Sequence, residues 1–222
     1  MLFPILKDTY TFYWQNLRFF AAIMLPLVIP MELLNTLLQS IWPADPMQPV
    51  TLLPGIMVTL IFYPIYQTAL VLGVKHRLSG ELPPIKQLIQ QGGLFWFAIV
   101  VVNVLFYLAM FVGLMLLVIP AIYIGVRWSL AEQNVVLNQE GPIDALKSSW
   151  EDTSDVFWLI FGGSLAIVIT MLIPGLTLFS WFVAVFDYAA PAMFISAVLQ
   201  SLFYPLLVVF FMRVRHYIKN NE

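Results

Sequence analysis

Leu94 to Ile119 reads LFWFAIVVVNVLFYLAMFVGLMLLVI, without one Asp, Glu, Lys, Arg or His, and Pro120 follows it. At 1.5 Å per residue, a helix of about 20 such residues crosses the roughly 30 Å of hydrocarbon in a bilayer. The stretch therefore reads as a transmembrane span. The rest of the chain agrees. Of its 222 residues 61% are hydrophobic and 10% charged, against roughly 45–50% and about 25% in a soluble domain. So few charges do not cover a surface in water, and lipid must cover it instead.

Two further spans precede this stretch. The first runs from about Leu17 to Trp42 and carries Pro26 and Pro30, which predict a kink that a membrane helix tolerates. Trp42-Pro43-Ala44-Asp45-Pro46 reads as a turn. The second span covers about Val50 to Val74 and stops at Lys75-His76-Arg77. After Gly80, Pro83 and Pro84, the apolar residues Ile85, Leu88 and Ile89 fall at helical spacing beside Lys86, Gln87, Gln90 and Gln91, which predicts a short interfacial helix. Met1 to Arg18 mixes Lys7, Asp8 and Arg18 with aromatics and shows no small-residue cleavage site, so it reads as an amphipathic segment on the membrane, not a secretory signal.

Beyond Pro120, a fourth span is expected from about Ala121 to Leu137. It is the weakest, because it holds Arg127 and Glu132 and must face protein. Pro142 opens an amphipathic helix with Ile143, Leu146 and Trp150 on one face. A fifth span starts near Val156. Pro174-Gly175 interrupts an apolar run that would otherwise reach Phe186. As one helix that run would be about 46 Å long, so the span is expected to end at Pro174, with 176–188 an aromatic connector at the interface. The sixth span runs from about Ala189 to Met212, before Arg213, Arg215, His216 and Lys219. The expected fold is all-α: a polytopic transmembrane helix bundle of about six spans with amphipathic interfacial helices. Residues 1–222 form a single integral membrane domain.

Orientation follows from the basic residues. Of the 10 Lys and Arg, all except Arg127 fall at the termini or in the 2–3 and 4–5 loops. The other connections offer only Asp45 and Asp187. Positive residues mark the cytoplasmic side, so both termini are expected in the cytoplasm.

Three charges need explaining: Glu32, Arg127 and Glu132. An isolated charge at mid-bilayer costs at least roughly 2.5–3.5 kcal/mol. Pairing of Arg127 with Glu32, Glu132 or both is therefore expected, as a clamp on helix register or as an intramembrane site. The chain has no cysteine, and its net charge of −2 argues against a nucleic-acid partner. His76 and His216 sit in basic flanks without a second His at ligand spacing, so no metal is expected. No nucleophile elbow, zinc-binding His-Glu-x-x-His pair or phosphate-cradling loop occurs. Neither a catalytic set nor a cofactor is expected, and the chain reads as a non-enzyme.

The N-terminal Lys7-Asp8-Thr9-Tyr10-Thr11-Phe12-Tyr13-Trp14-Gln15-Asn16, then Leu116-Leu117-Val118-Ile119-Pro120-Ala121-Ile122-Tyr123, Arg127-Trp128 and Ala145-Leu146-Lys147-Ser148-Ser149-Trp150 resemble YciC-type bacterial inner-membrane proteins. Ala121 departs from that family's glycine after the proline. The resemblance implies a six-span protein of the bacterial envelope and brings no catalytic residue. The expected role is organisation of lipids or partner proteins in the envelope, with membrane lipids, other membrane proteins or a second copy of the chain as partners. The alternative is a small transporter or channel using the Glu/Arg site.

Overall fold

The computed structural model describes residues 2–43, 45, 48–81, 83–186 and 189–219. Ala44 and Pro46 of the expected turn, and Asp187 and Tyr188 of the expected connector, lie outside the described residues. Every regular element among the described residues is helical. They are α1 (Leu2–Gln15), α2 (Leu17–Ile41), a 3-10 turn (Pro49–Leu52), α3 (Leu53–Leu78), α4 (Ile85–Leu94), α5 (Trp96–Met115), α6 (Val118–Arg127), α7 (Ala131–Asn138), α8 (Pro142–Asp152), α9 (Phe157–Phe186), α10 (Ala189–Ser201) and α11 (Pro205–Lys219). Five stretches are long and apolar enough to cross a membrane: Leu17–Ile41, Val50–Leu78, Trp96–Met115, Phe157–Val185 and Met193–Lys219. The chain is an all-α, multi-pass helix bundle.

The expected fourth span is not one helix. It is α6 and α7, separated at 128–130. The break is stable because α8 satisfies the backbone groups it frees. Ser149 Oγ donates to the Arg127 carbonyl at 2.8 Å and accepts the Leu130 N–H at 3.1 Å, and Thr153 Oγ1 lies 3.1 Å from the same carbonyl. The turn from α5 into α6 comes before Pro120, at Leu117, whose φ is +95°. Pro120 then sits in the first turn of α6, where its missing N–H has no helical partner to lose.

The expected stop at Pro174 does not occur either, since α9 continues to Phe186. A proline costs a membrane helix one hydrogen bond, here the one its N–H would give the Thr170 carbonyl, and the span continues past that single loss.

Two of the expected surface segments are docked on the bundle. Thr9 and Tyr13 of α1 are buried. Tyr13 Oη donates to the Leu202 carbonyl at 2.9 Å, and Tyr10 Oη lies 2.7 Å from Thr170 Oγ1. Helix α4 runs antiparallel along α3, and directly after it Trp96 Nε1, at the start of α5, donates to the Ile61 carbonyl at 3.1 Å. A Cβ on Gly92 would fall 2.6 Å from the Ile65 carbonyl oxygen, so only glycine lets the two backbones approach this closely.

Both termini gather at one end of the bundle. The Arg213 guanidinium lies 5.5 Å from the Phe12 ring, and that of Arg77 lies 4.4 Å from the Phe19 ring. Arg215 Nη2 donates to Asn138 Oδ1 at 2.5 Å. The chain thus leaves this basic end at the close of α3 and is back at it by Asn138. With α5 going out, α6 and α7 together make the return assigned to a fourth span.

Candidate functional site

Glu132 lies in the first turn of α7, directly after the break that α8 holds open. A carboxylate suits that position because the first N–H groups of a helix are unpaired and point toward it. Tyr63 Oη of α3 donates to it, at 2.9 Å from Oε1 and 2.8 Å from Oε2. Asn103 Nδ2 of α5 donates to Oε1 at 2.7 Å, and Gln67 Nε2 of α3 donates to Oε2. Tyr204, in the gap between α10 and α11, extends the network. Its hydroxyl lies 2.9 Å from Tyr63 Oη and 3.0 Å from Gln67 Oε1.

The carboxylate is thus held by neutral donors. Gln67 and Asn103 are 5% and 6% exposed. Asn103 Nδ2 also donates to the Ile99 carbonyl of its own helix at 2.9 Å. The cluster sits where two broken passes meet, the α6–α7 gap at 128–130 and the α10–α11 gap at 202–204.

Glu132 keeps some accessible surface, and that surface faces a cavity of about 190 Å³ lined also by Tyr63, Gln67, Asn103, Tyr107, Trp128 and Tyr204. A larger cavity of about 540 Å³, between α2, α3 and α5, reaches from Trp42 and Thr51 down to Tyr63, Asn103 and Tyr107. The last three residues line both spaces, so the large cavity leads toward the carboxylate. A third space of about 380 Å³ holds Glu32, Thr36, Ser40 and Met193, and shares Asn35 and Gln39 with the large one.

No family model, curated protein or solved structure matches the chain. The chemistry has to be read from the residues themselves.

The three charges read from the sequence go to three different places. Glu132 is at the centre of the buried cluster. Glu32 is half-buried on α2 and hydrogen-bonded by the Asn35 side chain of the next turn. Arg127 lies against α8, with its guanidinium 4.7 Å from the Trp150 ring and 5.8 Å from the Tyr123 ring. The expected pairing is not formed, since Arg127 makes no ion pair among the described residues. Five residues apart, the two side chains would point about 140° apart even on a continuous helix, and with the turn at 128–130 they meet different neighbours. His76, read as a solvated flank, contacts Glu81 across the turn after α3.

Tyr63, Gln67, Asn103 and Tyr204 were not singled out by the sequence reading. The available signal was an amide within an apolar span, since an unpaired amide in hydrocarbon is costly. Gln67 and Asn103 both carry that signal.

Proposed function

We propose that this chain is a non-enzymatic, multi-pass protein of the bacterial inner membrane, of the YciC type, that binds and carries a small cationic solute, with Glu132 as the binding carboxylate. The observation that carries the reading is the setting of Glu132. It is a carboxylate at the centre of a membrane bundle, with neutral donors on both oxygens and, among the described residues, no basic side chain in contact, at the end of a cavity. In a low-dielectric interior such a group requires a cation or a proton. Tyr63, Tyr107 and Trp128 supply π-faces on which an organic cation rests favourably. Discontinuous helices beside a mid-bundle charge are a recurrent arrangement in transporters. With the basic end cytoplasmic, the large cavity opens outward and α7, α8 and α11 close the inner side.

The test is uptake of tetramethylammonium, choline and protons into proteoliposomes, alongside direct binding to the purified protein. Glu132→Gln keeps the shape and removes the charge. It should weaken binding of the transported cation roughly thirtyfold or more, the effect of neutralising one partner of a buried charge pair. No cation moved above the rate of empty liposomes, or transport unaltered by Glu132→Gln, would reject the proposal. The organising role is the second reading, and the surroundings of Arg127 are what favour it.

A further inference from the structure

Arg127 is 8% exposed, yet its side chain has no ion pair and no hydrogen bond among the described residues, and its Nε is enclosed without an acceptor. The rings of Trp150 and Tyr123 face the guanidinium. Such contacts offset only part of the cost of withdrawing a guanidinium from water. Ring contacts also satisfy none of its N–H donors. Ser149 and Thr153 hold the backbone carbonyl of the residue, and the two rings pack on its guanidinium. The site is thus a partly enclosed cation that lacks an anion among the described residues.

The rim says what kind of anion fits. Beside the guanidinium the surface is aromatic: the Tyr123 ring lies 5.4 Å from that of Phe157, which lies 5.3 Å from that of Trp158, and Trp158 is 77% exposed. Tyr and Trp of this kind sit at headgroup level in membranes. The planar fork of an arginine matches the oxygens of a phosphate two at a time. We propose that Arg127 binds the phosphodiester group of a membrane phospholipid, with its acyl chains along the exposed rings of Tyr123 and Trp158. This site is separate from the Glu132 cavity and does not depend on the solute reading.

Native mass spectrometry of the full chain released from its own membrane tests it, followed by delipidation and titration with three probes. These are phosphatidylglycerol, diacylglycerol of the same chains, and inorganic phosphate. One tightly retained phospholipid is expected, restored by phosphatidylglycerol and by neither of the other two. Arg127→Leu should lower its affinity roughly tenfold or more, the loss that accompanies removal of a charged hydrogen-bond partner, and Arg127→Lys should retain part of it. Glu132→Gln should leave it unchanged. Equal binding of diacylglycerol to the unmodified protein would overturn the proposal without recourse to any variant. Protection by inorganic phosphate alone would show a soluble-anion site and overturn the lipid assignment, as would undiminished phospholipid binding in folded Arg127→Leu protein.

Discussion

Tyr63 donates to Glu132 and also touches Tyr204, so it joins α3 to both broken passes. Its removal leaves the carboxylate two donors, from Gln67 and Asn103. A hydrogen bond to a charged group contributes about 1.5–3 kcal/mol, so Tyr63→Phe should lower stability by about that amount. The penalty belongs to the pair, so Tyr63→Phe made in a Glu132→Gln background should cost at least about 1 kcal/mol less. Denaturant unfolding of the four proteins in mixed micelles measures this coupling. Equal penalties in the two backgrounds would mean that the phenol and the carboxylate do not act on each other. Arg127 shows the reverse case, a charge whose cost was readable in the sequence and which meets rings but no anion among the described residues.

Helix α4 offers a sharper test, because Gly92 and Gly93 are adjacent and meet opposite surroundings. A Cβ at 92 would strike the Ile65 backbone, while one at 93 would meet nothing within 4 Å. Alanine at an open helical glycine stabilises by about 0.5–1 kcal/mol. Overpacking against a backbone costs about 1–3 kcal/mol. Gly93→Ala should therefore raise the midpoint of thermal unfolding in detergent and Gly92→Ala should lower it. A parallel response of the two would show that α4 does not lie on α3. The amphipathic pattern of α4 was legible from Ile85, Leu88 and Ile89. Its docking was not, because the deciding atom is a hydrogen where other residues have a methyl group. Pro174 misled for a related reason. A proline signals a helix end in water, but a membrane helix continues past the single hydrogen bond it removes.

At the scale of the molecule, Phe12 of α1 on Arg213 and Phe19 of α2 on Arg77 bring the junction of α1 and α2 together with α11 and the end of α3. Reporters fused after Asp45 and after Pro142 should fall on opposite sides of the membrane, with the second on the side of both termini. Finding the two on one side would exclude the arrangement, whatever the number of long apolar helices. The break between α6 and α7 matters at this scale too. It lets a pass too polar for lipid fold inside α3, α5, α8 and α11, with Asn134 and Asn138 held by Arg215 at its basic end.

The amino-acid sequence by itself determined the solvent, the helical class, the spans apart from their breaks, and the three charges that lipid would not tolerate alone. Hydropathy sums over neighbours along the chain, so it survives without knowledge of the fold. Tertiary structure alone decided that Glu132 is met by Tyr63, Gln67 and Asn103, and that Arg127 is met by Trp150 and Tyr123. Those partners come from helices distant in sequence, and which faces meet depends on where α8 holds a helix open and where Gly92 lets two backbones close.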